Sequence, residues 1–308
     1  MKKNLLLLTV FAAITSGTFT SCSKNDDATP APTPEDRAEV RFSSNIITSV
    51  VKSRAAGTTW ADNDSIGVYM FEAKVDNIVD ANVKYVNTVN SGTFAPSDNK
   101  IYFPDNGDQV RFMAYYPYSA TVAENIYSVN VAEQTNQSEI DLLYVFNKNE
   151  YGKAIEEKLV PLAFEHQLTK IIVNVKAGEG LEEIDLDNLI ISITGMNTVA
   201  KFNLIDGTLS GLEEKEEIVL LEATPEQNYV YSAEAIVIPT DNVDDVKLFF
   251  DLNNSDDENN DTFAWSFTEE LEKGTKYTYN VTINRSGLAV QATINEWINE
   301  VPENIIAE

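Results

Sequence analysis

The stretch Leu159 to Lys176, LVPLAFEHQLTKIIVNVK, decides the fold class. It lies near the middle of the chain and is its longest run of strand-like alternation. Leu162, Phe164, His166 and Leu168 share one parity and hence one face of an extended strand, whereas Ile171, Val173 and Val175 occupy the other. The apolar face therefore changes sides. A one-residue shift of this kind requires a bulge or a passage between two packing environments, and Thr169-Lys170 is where it is expected. The reading is a long strand that opens a second β domain. His166, the only histidine of the chain, falls on the apolar side. There a core imidazole hydrogen-bonded to its neighbours is the plain reading, and no second histidine is present to support catalysis. Lys170, in mid-strand among apolar neighbours, is assigned to structure as well.

Working outward, 308 residues correspond to about two domains at the usual ~100 to 200 residues each. Acidic side chains outnumber basic ones 49 to 22, a net charge of -27 that disfavours nucleic acid and bare anionic membrane as partners. The acids are spread along the chain, as on the solvated surface of a folded protein. An apolar fraction of 43% agrees with a globular fold.

The N-terminus reads as an export signal, residues 1–21: Lys2 and Lys3 precede an apolar run from Leu5 to Ile14, and small polar residues lead to Ser21-Cys22. Ten apolar residues are too few to span a bilayer, which needs about 20. Cys22 is the sole thiol, placed just behind that run in an exported chain. Phe19-Thr20-Ser21-Cys22 resembles the lipobox of bacterial lipoproteins, which implies cleavage before Cys22 and acylation of its thiol. Several acyl chains, at roughly 0.8 kcal/mol per buried methylene, give lasting attachment. Residues 22–36 follow as a polar, proline-rich tether. Its Asp26-Asp27 pair behind the cysteine resembles the surface-export signal of lipoproteins in some Gram-negative anaerobes.

Folded structure is expected from Arg37, with Val40, Phe42, Ile46 and Val50 on one parity of a first strand. The loop Trp60 to Ile66 carries Asp62 and Asp64 but lacks the full ligand spacing of a calcium loop, so it reads as a turn. Val110 to Tyr118 is almost continuously apolar and aromatic, the mark of a strand buried on both faces, with a sugar-binding platform as the other option. The polar loop Asn147 to Lys158 is the expected domain boundary, giving domains at 37–157 and 158–308. Beyond it, short alternating strands separated by turns continue to Tyr277–Ile283 and Leu288–Ile294. Two β-sandwiches are inferred. The acidic loop Asn253 to Asp261 reads as a solvated hairpin loop, with weak calcium binding left open.

An ordered set of short motifs now becomes specific. Trp60-x-x-x-Asp64-x-Ile66-Gly67-Val68-Tyr69, Tyr102-Phe103-Pro104, Ala114-Tyr115-Tyr116-Pro117-Tyr118 and Ile140-Asp141-Leu142-Leu143 lead into Leu162-x-Phe164-x-His166-x-Leu168-x-Lys170-Ile171. Ala235-Ile236-Val237-Ile238-Pro239, Gly274-x-x-Tyr277-x-Tyr279 and Ile294-x-x-Trp297 complete it. Together they resemble the fimbrillin family. The resemblance implies an all-β protein of two tandem transthyretin-like β-sandwiches, exported as an outer-membrane lipoprotein and used at the cell surface as a pilus subunit. Its partners would be other pilin subunits, the outer membrane through the lipid anchor, and a host or bacterial surface ligand. It further implies maturation by cleavage after an arginine, which removes the first strand so that a strand of another subunit can fill its place.

Arg54 is the expected processing site. Of five arginines three fall between Arg37 and Arg54, and Arg54 is followed by the small residues Ala55-Ala56-Gly57 that suit an accessible linker. The alternative, Arg54 as a solvated linker residue of an uncut anchor subunit, stays open. So does the donor, for which the stretch from Leu288 onward is suited both to another subunit and to its own domain. An enzyme has little to rest on: Cys22 is committed to lipid, a serine triad would depend on His166 alone, and neither a phosphate loop nor a Cys/His metal cluster is present. No catalytic residue, metal ligand or cofactor is assigned. A monomeric surface lipoprotein that binds glycan or a host protein is the second functional reading.

Overall fold

The computed structural model describes residues 37–46, 60–88, 92–152, 159–225, 228–252 and 262–297, and these described residues belong to one compact unit. It is all-β. In chain order the strands are β1 (Phe42–Ile46), β2 (Ser65–Glu72), β3 (Ile78–Asn87), β4 (Thr93–Pro96), β5 (Val110–Tyr116) and β6 (Ile126–Asn130). A single helical turn, α1 (Gln137–Ile140), precedes β7 (Leu143–Tyr151), β8 (Val160–His166) and β9 (Thr169–Ala177). After a 3-10 turn come β10 (Ile190–Thr194), β11 (Val199–Asn203), β12 (Thr208–Glu213), β13 (Ile218–Val219), β14 (Leu221–Ala223) and β15 (Tyr231–Val237). β16 (Lys247–Asp251), β17 (Thr262–Ser266), β18 (Thr275–Asn284) and β19 (Gly287–Glu296) complete the described strands.

Seven strands close into a ring in the order β1-β4-β3-β2-β5-β7-β8. Its interior holds Val40, Phe42, Phe94, Phe103, Phe112 and Phe164, all buried. A second core lies between a five-stranded sheet, β14-β15-β9-β18-β19, and a four-stranded sheet, β13-β10-β16-β17. β2 and β5 separate the two cores. Val68, Met70, Phe112 and Ala114 point into the ring, whereas Tyr69, Phe71, Met113 and Tyr115 point into the second core. The unbroken apolar run around Tyr115 is thus a strand covered on both faces, as its composition requires. Gly67 makes that layer possible, since a Cβ there would lie 2.2 Å from the Tyr115 ring.

The central stretch departs from its expected form. Of the two forms the change of face allows, a bulge or a passage between packing environments, it takes the second: two strands, β8 and β9, broken at Gln167-Leu168 in place of one long strand. In β8 every second residue is buried, with Val160, Leu162, Phe164 and His166 facing in. β8 also pairs with β1 and β7, so it completes the first ring, while β9 sits centrally in the five-stranded sheet between β15 and β18. The switch of parity is real; its physical form is a crossing from one core to the other.

Candidate functional site

The first strand occupies a slot whose walls run in opposite senses. β1 pairs parallel with β8, from Phe42 against Val160 to Ile46 against Phe164, and antiparallel with β4 at Phe42 and Ser43. Just ahead of it, the Val40 N–H donates to the Ile101 carbonyl and the Phe103 N–H to the Ala38 carbonyl, each at 2.9 Å. Tyr85, buried in the ring, donates its hydroxyl to the Val40 carbonyl at 3.1 Å. Phe42 fills the centre of the slot, edge-on to Tyr85 at 4.9 Å and to Phe112 at 5.1 Å. Ala38, Val40, Ser44 and Ile46 point inward with it. β1 is the only strand that joins β4 to β8 among the described residues. Without it the ring becomes an open sheet with two unpaired edges and an apolar trough.

The outward face of the same segment is charged. Lys100 Nζ lies 2.6 Å from Glu39, and the Arg41 guanidinium 3.2 Å from the same carboxylate. Partial burial works against ionisation of Glu39, but these two hydrogen bonds outweigh it and hold the carboxyl below the usual range. Arg37 lies 3.5 Å from Asp105 with its guanidinium 4.8 Å above the Tyr102 ring.

Of the residues singled out in the sequence, Cys22, Arg54 and Ala55 lie outside the described residues, as do Val50 and the acidic loop 253–261. Val40, Phe42 and Ile46 are brought together on one face of the slot as their parity implies. In the Trp60 loop the Asp64 carboxylate accepts from the Ala61 N–H at 2.7 Å and from the Tyr116 hydroxyl at 3.3 Å. Those bonds define a turn. His166 is almost fully buried, with Nδ1 2.8 Å from Asp141 and its ring stacked on Trp297 at 3.6 Å and 9°. Lys170 is buried too, 2.8 Å from Glu234 and donating to Gln137 at 2.6 Å. Burial presses the Lys170 ammonium towards neutrality and Glu234 opposes it. This polar cluster ties α1 and β8 to β9 and β15, with Lys170 held between Glu234 and the Gln137 amide and His166 set on Asp141. It is a joint between the two cores. Sequence pattern does not reveal the Glu234, Gln137 and Trp297 contacts, because these residues lie 64, 33 and 131 positions from the side chains they meet.

A family model described as fimbrillin-like matches residues 53–297. The chain belongs to the fimbrillin-like family. This fimbrillin-like chain is similar to a candidate fimbrium subunit, Fim1C, of Bacteroides uniformis, with 30% identity over 310 residues and 96% of each chain covered. Among solved structures it is similar to a candidate cell adhesion protein from Bacteroides uniformis, at 28% identity and a TM-score of 0.69, over 86% of this chain and 100% of that one. A second such protein, from Bacteroides ovatus, shares the fold at 24% identity and a TM-score of 0.65, over 86% and 99% of the two chains.

Proposed function

We propose that this chain is a structural subunit of a cell-surface fimbria that supports adhesion. It is exported as an outer-membrane lipoprotein through Cys22 and cut after Arg54, so that a strand of another subunit replaces β1. Its body is two tandem transthyretin-like sandwiches, 37–157 and 158–308, with β8 crossing the division to close the first. The observation that carries the reading is the position of β1: one short strand, near the N-terminal end of the folded part, closes a ring whose remaining strands all lie C-terminal to Arg54. A cut there removes Ala38, Val40, Phe42 and Ile46 together and leaves the walls of the slot intact. An extended segment from outside can then restore both the backbone pairs and the inward side chains.

The last described strand is a poor donor in this reading. β19 pairs with β18 at ten positions, and Trp297 just beyond it is buried on His166. Its pairing as the edge strand of its own sheet favours a donor segment other than β19. Peptide mapping of fimbriae sheared from cells tests the proposal. Chains that begin at Ala55 support it, whereas assembled chains that begin at a lipidated Cys22 and retain residues 37–54 refute the exchange.

A further inference from the structure

Apolar alternation alone does not define how a strand sits in this slot. A slip of two residues keeps every apolar side chain facing inward, because the side-chain period along a strand is two. The Phe42 pocket between Tyr85 and Phe112 selects an aromatic ring at the centre but does nothing for the end of the strand that leads into it. That end is where the charges lie. Arg37 and Glu39, two residues apart on the outward face, meet fixed partners of opposite sign on the stretch that follows β4: Asp105 with Tyr102 for the first, Lys100 for the second. Moving the strand by two residues in either direction brings like charges together or strands one of the pairs.

All these partners lie C-terminal to Arg54 and stay when β1 is removed. Loss of Arg37 uncovers the Tyr102 ring in a groove of about 480 Å³ that is also lined by Glu72, Asp80, Lys100 and Asp108. Burial pushes the Asp80 carboxyl up, and the Arg37 charge opposes that. Loss of Glu39 leaves Lys100 without its carboxylate. The emptied slot therefore presents a place for a cation, with carboxylates and an aromatic face, and beside it a place for an anion. On a chain of net charge -27 a cation site of this kind discriminates against most of the chain's own acidic segments.

We propose that Asp105, Tyr102 and Lys100 read the register of the strand that fills the slot. The partner is an extended segment of another subunit with a basic residue, an acidic residue two positions later and an aromatic residue three positions after that, the pattern of Arg37, Glu39 and Phe42. This rests on the strand-exchange reading above, and the test separates the two. The full chain is given a specific protease site in place of residues 54–57, cut, and titrated with fluorescent peptides spanning residues 36–50. The natural peptide should enter the slot. A peptide with Arg37→Glu and Glu39→Arg, its inward residues unchanged, should bind about tenfold more weakly, since exposed pairs contribute only a few-fold each and both are reversed to repulsion. The same reversed peptide should regain its affinity on the cut chain carrying Lys100→Glu and Asp105→Lys. Equal affinity of both peptides for the unaltered chain overturns the register code and leaves strand exchange standing. Failure of the natural peptide to enter overturns both.

Discussion

Phe42→Ala should weaken the uncut chain and leave assembled fimbriae untouched. Phe42 has no exposed surface and meets Tyr85 and Phe112 edge-on, in a ring whose strands hold the surrounding backbone on both sides. Little collapse into the space it vacates is open to such a site, so the loss belongs in the usual range for an aromatic removed from a core, about 3 to 5 kcal/mol. With a urea m-value of about 2 kcal/mol/M, this lowers the unfolding midpoint of the uncut chain by roughly 2 M. Material in which residues up to Arg54 have been removed no longer contains Phe42. Fimbriae recovered from a Phe42→Ala strain should therefore dissociate in urea at the same concentration as the natural ones, even where their yield is lower. Phe103→Ala is the control, because Phe103 is equally buried in the ring and is retained after the cut; it should weaken both forms. Fimbriae from the Phe42→Ala strain that dissociate earlier, in step with the uncut variant, would show that β1 is still in place and refute the reasoning.

The joint between the cores yields a double-mutant cycle: Glu234→Leu alone strands the buried Lys170 ammonium and should cost about 3 to 5 kcal/mol, whereas Lys170→Met with Glu234→Leu should recover most of it. Urea unfolding measures both, and a double variant as weak as the single one contradicts the assignment. Above pH 10 stability should fall, because burial pushes Tyr127 and Tyr144 up to about 12. The unfolded chain gives up those protons from about pH 10 while the folded one keeps them, a loss of about 1.4 kcal/mol per pH unit for each ring between pH 10 and 12. A midpoint that stays flat from pH 9 to 11 disagrees. Lys170 has the opposite sign, since its lowered value makes the folded chain shed a proton first, so the double variant should lose a rise in stability that the natural chain shows below about pH 10.4. Trp297→Ala removes a buried side chain just beyond β19, a strand whose own described residues are mostly exposed. Its amides should exchange hydrogen more than tenfold faster while those of β5 are unchanged, and uniform acceleration across both strands would contradict a local anchor.

Much of this architecture is legible in the chain because its strands are strongly patterned. The alternation of Leu162, Phe164 and His166 gives β8, and the continuous run around Tyr115 announces a strand between two cores. What period cannot supply is pairing. Nothing local to LVPLAFEHQLTKIIVNVK says that its first half returns to Phe42, so its change of parity is as compatible with a bulge as with the crossing between cores that it marks. The slot shows the same division. Inward residues of β1 follow from parity, whereas Lys100, Tyr102 and Asp105 become its partners only once the chain has folded back across some sixty residues. Arg37 is legible only as an arginine at the start of the first strand, and contact alone gives it and Glu39 a role.

Charge also sets the conditions for assembly, in two opposing ways. Each chain carries a formal charge of -27, so bringing subunits together is opposed by a repulsion that acts over their whole surfaces. At low salt that repulsion reaches far, with a screening length of about 30 Å at 0.01 M, and at 0.15 M it is cut to about 8 Å. The attraction of Arg37 and Glu39 equivalents for Asp105 and Lys100 acts at 2.6 to 3.5 Å between two side chains each, and is weakened much less over the same range. The long-range term should therefore govern the rate. Cut subunits mixed with a donor should assemble faster as salt rises from 10 to about 150 mM, while the difference between the natural and charge-reversed peptides narrows only slightly. Light scattering follows the first and anisotropy the second. Assembly that slows as salt rises would mean that attraction between opposite charges drives encounter, and the acidic surface would then have to be a recognition element and not a background to be screened.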